Sequence, residues 1–216
     1  MPNGLKAGAN PGMVLTNIQS HGPCSMLRYA LLFVLAAISP ALAQPVTDYL
    51  KIPGPIALGD TSYELAWSAQ PAPDYTKQEY VPAGQSVDSF ESMVIVEFLV
   101  GDATPAAIAQ SQIAMLEQRK ASDPLVNMDL LVNDASGEII LDFVLSAPDA
   151  NGDIIVEWNA YRYASATTSD GQSGGLLFAV SHRAYGDADA KTFLAGLATL
   201  RSEQIDLIAA APLPAL

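Results

Sequence analysis

The chain has 216 residues, half of them hydrophobic and 15% charged, a globular composition that excludes a disordered or collagen-like polymer. Ten Lys and Arg against 23 Asp and Glu leave a net charge of −13, which argues against nucleic acid as a partner because phosphate binding needs a basic surface. Nor is this the composition of a polytopic membrane protein.

The first signal along the chain is a processing signal. Ala30 to Ile38 is uninterrupted apolar sequence, preceded by Arg28 and followed by Ser39-Pro40-Ala41-Leu42-Ala43, in which Ala41 and Ala43 form an A-x-A cleavage signature. A membrane span needs about 20 apolar residues, and this run is less than half as long before Pro40 interrupts it. Met26 to Ala43 therefore reads as a secretory signal peptide cut between Ala43 and Gln44. Residues 1–25 read as a mis-assigned upstream extension, with translation beginning at Met26. Cleavage would remove Cys24, the one cysteine, so the mature chain would lack disulfides, thiolate nucleophiles and cysteine metal sites. Lipid attachment would be lost as well, since Gln44 and not Cys follows the cut. A periplasmic or secreted protein is expected, with no stable membrane span after cleavage.

Residues 44–61, with Pro53-Gly54-Pro55, read as an extended leader, and residues 62–210 as one globular domain ending in a tail, 211–216. Ser62 to Ser68 and Thr76 to Val81 read as two strands around Pro71-Ala72-Pro73-Asp74. Asp88-x-x-Glu91 has the form of a capping box and predicts a short helix. Met93 to Val100 is β-rich. Thr104-Pro105 then supplies an N-cap and a first-turn proline for a helix reaching about Lys120, with Ala109, Ile113 and Leu116 on one stripe. Turn signals at Asn133 to Gly137 and Pro148 to Gly152, and a long loop from Ser165 to Gly175, separate four more runs. These are Val126 to Val132, Glu138 to Leu145, Asp153 to Tyr163 and Leu176 to Tyr185, an antiparallel meander. Asp187 and Asp189 open a final helix striped by Phe193, Leu197, Leu200 and Ile208. The fold class expected is α+β: about six or seven antiparallel strands in a single domain, packed with amphipathic helices.

Strict alternation along the four-strand meander predicts one apolar face, including Leu141, Phe143, Val156, Trp158, Phe178 and Val180, and one polar face. The polar face gathers Asn127, Asp129, Asp142, Glu157, Asn159, Ser181 and Arg183, with Tyr161 and Tyr185 around them. The simplest registers set Asp142 across from Glu157 and Glu157 across from Arg183. Asp129, Asp142, Glu157, Asn159, Tyr161 and Arg183 are accordingly the candidate face for a ligand or partner. The alternatives are a solvated sheet face and a groove for a small polar ligand or a divalent cation.

Other motifs point to chemistry less directly. Gly171-Gln172-Ser173-Gly174-Gly175 fits G-x-S-x-G, but it ends a loop and precedes a strand, whereas a nucleophile elbow follows a strand and opens a helix. Its sole candidate base after cleavage, His182, lies nine residues downstream and alternates onto the apolar face. Asp149-Ala150-Asn151-Gly152-Asp153 begins like a calcium loop, but Ile154 and Ala160 stand where glycine and glutamate belong, and Asn-Gly is itself a hairpin signal. Asp142 and Glu157 facing one another would also fit a carboxylate pair for hydrolysis. Trp67 and Trp158 read as packing residues.

The order of elements from Ser62 to Leu207, with Tyr80-Val81-Pro82-Ala83-Gly84 and His182-Arg183-Ala184-Tyr185-Gly186, resembles the PsbP/Mog1-like group of uncharacterised bacterial periplasmic proteins. The resemblance implies an antiparallel sheet between helices and an accessory or binding role; it departs from those relatives that are lipoproteins, because no lipidation cysteine is present. The function expected is an exported, non-enzymatic binding or accessory protein of the cell envelope that uses no cofactor or metal. The alternatives are a small-ligand or cation binder on the acidic face, and a hydrolase using Ser173 or the Asp142/Glu157 pair.

Overall fold

The computed structural model describes residues 46–216; the expected signal peptide, cleavage site and upstream extension fall outside the described residues. Eight strands form one antiparallel sheet: β1 (Ile56–Leu58), β2 (Thr61–Ala72), β3 (Tyr75–Pro82), β4 (Ser92–Val100), β5 (Asn127–Val132), β6 (Ile139–Pro148), β7 (Ile154–Thr167) and β8 (Ser173–Tyr185). Their order across the sheet is β1-β2-β3-β4-β8-β7-β6-β5, so β5 to β8 are a meander joined to β4 through β8. Among the described residues two helices accompany the sheet, α1 (Pro105–Arg119) and α2 (Gly186–Ala210).

The expected fold class is corrected in two respects: the sheet has eight strands and not six or seven, and it dominates the molecule, curling into a half-barrel with two helices. The extra strand, β1, is three residues long and flanked by Pro55 and Gly59-Asp60, too short to show any alternation in the sequence. Nor does Asp88-x-x-Glu91 start a helix. Ser86 and Ser89 exchange backbone hydrogen bonds of 3.1 and 3.3 Å, and Gln85 Oε1 accepts the Glu91 N–H at 2.8 Å, so a tight turn satisfies the backbone first. The long loop expected at 165–175 is mostly strand, with β7 running to Thr167 and β8 starting at Ser173. Bulges in the β2–β3 ladder, between Leu65 and Trp67 and between Ala69 and Ala72, bend that hairpin and accommodate Pro71.

Each face of the sheet has its own core. α2 lays Ala190, Phe193, Leu194, Leu197 and Ile208 over Val94, Val96, Val156, Trp158, Phe178 and Val180. On the opposite face α1 lays Ala109, Ile113 and Leu116 over Leu141, Phe143, Tyr163, Leu177 and Ala179. α1 begins as its sequence dictates, with Thr104 Oγ1 accepting the Ala107 N–H at 3.2 Å and proline in the first turn.

The α1–β5 connection is locked by one carboxylate. Asp123, 5% exposed, accepts the Ser146 N–H (2.6 Å), Ser146 Oγ (2.8 Å), the Leu125 N–H (3.1 Å) and Arg119 Nε (3.2 Å). Burial alone would raise its pKa, but the donors from Ser146, Arg119 and Leu125 outweigh it and hold the carboxyl below its ordinary value. Because the unfolded chain binds this proton more tightly, the stabilisation is complete above about pH 4 and is lost as pH falls through the folded pKa. Asp123→Asn should cost about 2 kcal/mol at pH 7, the scale of hydrogen bonds to a charged group. Urea unfolding of both proteins from pH 7 to pH 3 should show the gap narrowing below about pH 4; a constant gap would mean that the charge plays no part.

Candidate functional site

The six residues of the candidate face do not share a face. Asp142 pairs with Asp129 and Ala160, whereas Glu157 pairs with Leu145 and Arg183. The expected Asp142–Glu157 juxtaposition is therefore wrong by an odd number of residues, which turns the two carboxylates to opposite sides of the sheet. The Glu157–Arg183 pairing is as expected. A carboxylate pair for hydrolysis is ruled out by that geometry, since the two groups share no cleft.

On the α2 face, Asp142 is 3% exposed and its charge is answered from above by α2. Arg201 donates from Nε to Oδ1 at 2.5 Å and from Nη2 to Oδ2 at 2.7 Å, and Nη2 also reaches Asp129 Oδ2 at 2.6 Å. The hydrogen bonds to Asp142 push the already high Arg201 pKa higher still. Trp158 Nε1 donates to the same Asp142 oxygen at 3.4 Å, and the indole lies 6.1 Å from the His182 ring. The acidic pair that suggested a cation site is thus already bound by a protein cation, with Asp142 taking both of its donating nitrogens and Asp129 sharing one. Arg201 was missed from sequence because it lies on a helix 59 residues from Asp142 in the chain; its one cue was a basic residue beside the apolar stripe.

On the α1 face, Glu157 pairs with Arg183, whose guanidinium carbon lies 4.1 Å from the centroid of the Phe90 ring. Tyr185 Oη donates to Phe90 O at 2.9 Å and accepts the Phe90 N–H at 3.0 Å, which fixes the ring under the cation. Ser181 Oγ donates to Asn159 Oδ1 at 2.5 Å, and Asn159 is fully buried with its Nδ2 unpartnered. Tyr161 stands edge-on to Phe143, its ring centroid 4.9 Å away, and burial, then the nearby Glu157, drives its pKa well above the ordinary phenol value. Farther along this face Lys77 joins Glu79 (2.9 Å) and Glu97 (3.6 Å), a second charge cluster that sequence reading did not find.

The motifs resolve into structure. In Gly171-Gln172-Ser173-Gly174-Gly175, Gly171 turns the chain at φ +88°, and a Cβ on Gly174 would lie 2.2 Å from Leu99 O, so β4 and β8 approach closely only because it is glycine. Gly175 leaves the same kind of space for Ile108 of α1. Ser173 Oγ has Thr167 Oγ1 at 3.2 Å as its neighbour. Asp149 Oδ1 accepts the N–H groups of Asn151 (2.8 Å) and Asp153 (2.9 Å), so the calcium-like stretch is the β6–β7 turn.

His182 lies on the α2 face beside Trp158, and burial pushes its pKa down. It lines an open cleft of about 420 Å³ between the start of α2 and the end of β8, with Glu91, Tyr185, Asp189, Phe193 and Leu200. Among the described residues, no three His, Cys, Asp or Glu side chains are placed to hold a metal ion, and no helix is long and apolar enough to cross a membrane.

Fold and sites define a sheet-dominated single domain, a curled antiparallel half-barrel whose buried charges are paired within the protein. One family model matches residues 50–213, from just before β1 to the tail beyond α2. The chain belongs to that family, which is uncharacterised. No curated protein matches it.

Proposed function

We propose that this chain is an exported, non-enzymatic binding or accessory protein of the bacterial cell envelope. The observation that carries the reading is that the charged residues of the candidate face are bound within the protein: Asp129 and Asp142 to Arg201 of α2, and Glu157 to Arg183. Side chains held this way contribute rigidity and fixed shape, whereas acid–base catalysis requires a proton-transferring group within reach of a substrate. Export is supported by the Arg28, apolar run and Ala41-x-Ala43 sequence, and the likeness to PsbP/Mog1-like periplasmic proteins points the same way.

The test is native mass spectrometry of the protein taken from cell fractions of its own host. The expected spectrum is a chain beginning at Gln44, found in the periplasm or the medium, with no small molecule attached. A cytoplasmic chain retaining residues 26–43 would overturn export. A reproducible bound small molecule that the protein converts to product would overturn the non-enzymatic reading.

A further inference from the structure

We infer that β5 is a self-association edge, through which two copies join their sheets across a two-fold axis at Leu130. Among the described residues β5 ends the sheet, and its Leu130, Leu131 and Val132 are 47%, 44% and 54% exposed. Natural proteins protect a sheet edge with charge, proline, bulges or a covering element. The opposite edge follows that rule, since β1 has three residues between Pro55 and Gly59. β5 does not follow it: Asn-Met-Asp-Leu-Leu-Val has no proline and no bulge, and its one ionised group, Asp129, is bound by Arg201.

The phase of the ladder fixes how a second copy fits. Asn133 donates to Glu138 O at 2.9 Å, and the β5–β6 register continues from there through Val132↔Ile139 to Asn127↔Val144. In an antiparallel pair, alternate residues bond to the neighbouring strand, so the odd-numbered residues of β5 bond to β6 while Met128, Leu130 and Val132 turn their N–H and C=O groups outward. An antiparallel copy must match outward groups to outward groups. With Leu130 opposite Leu130 of the second copy, Met128 falls opposite Val132, and one side of the seam becomes an unbroken apolar ladder of Met, Leu and Val. On the other side Asp129 falls opposite Leu131. Sliding the copies so that Asp129 meets Asp129 would set like charges directly across the seam; sliding the other way shortens the ladder.

The occupant that fits is a second copy of this chain. The edge is complementary to itself: in this register each Asp129, bound by Arg201, faces Leu131 and not another carboxylate, so no like charges meet directly across the seam. Because β1 is too short to receive β5, head-to-tail growth is blocked and the assembly closes as a dimer.

Analytical ultracentrifugation of the purified protein should give twice the chain mass. Leu130→Lys and Leu130→Glu each place like charges together on the axis and should halve that mass, while the circular dichroism spectrum remains that of the folded chain because Leu130 is 47% exposed in the single chain. Mixing the two variants in equal amounts should restore the dimer, since Lys then faces Glu. A wild-type monomer at the highest soluble concentration would overturn the inference. So would variants that remain dimeric, or folded monomeric variants whose mixture stays monomeric.

Discussion

Arg201→Met should destabilise the protein by about 3 kcal/mol, measured by urea unfolding at pH 7. The side chain of Asp142 is 4% exposed, and Arg201 neutralises both of its oxygens from α2. Removing one partner of a buried pair costs about 3–5 kcal/mol, because the remaining charge stays where water cannot solvate it. The lower end applies here, since the side chain of Arg201 is 36% exposed and its side of the pair is partly hydrated. The diagnostic comparison is the double variant Arg201→Met/Asp142→Leu, which removes both charges and should recover most of the loss. If Arg201→Met alone cost less than about 0.5 kcal/mol, the pair would be energetically a surface contact, and Asp142 would be free to serve a ligand after all. The same guanidinium holds Asp129 on the exposed edge strand, so this variant should also weaken any association through β5.

The parts of the fold legible in the sequence are those whose signals are local. Thr104-Pro105 starts α1, and the Asp149–Asp153 turn that contains Asn151-Gly152 leads β6 into β7, because a cap and a short turn are complete within a few residues. The face assignment failed for a physical reason. β6, β7 and β8 are covered by a helix on each side, so Ile139-Ile140-Leu141 and Leu176-Leu177-Phe178 are apolar on both faces and carry no alternation that fixes register. Asp142 and Glu157 were then free to be placed together, although in fact they stand on opposite sides. The charge clusters were illegible for a related reason. Arg201 meets Asp142 across 59 residues of chain, and only the folded sheet supplies that neighbour. The glycines of 171–175 were visible, but their meaning, close approach to Leu99 and Ile108, was not.

Arg162→Met should cost about 4 kcal/mol, and it should do so at one end of α2 first. The last turn of α2 contains no basic residue to answer its exposed carbonyls or the negative end of its dipole. Arg162, reaching from β7, supplies both: Nη1 donates to Ile208 O at 2.8 Å and to Ala211 O at 2.7 Å. Its Nε and Nη2 meanwhile hold Glu138 Oε2 at 3.0 and 2.8 Å. Methionine fills a similar volume but orphans two carbonyls at about 1–3 kcal/mol each and leaves Glu138 without its cation. Arg162→Lys should recover less than half of the loss, because one ammonium cannot span the carboxylate on one side and two carbonyls on the other. Leu213 and Leu216, packed against the core just beyond this cap, should loosen together with it. Native-state hydrogen exchange should therefore quicken at Leu207 to Ala211 before the β7–β8 ladder responds. Uniform acceleration across the sheet would instead assign the role of Arg162 to its pair with Glu138, and Glu138→Gln would then reproduce the whole effect.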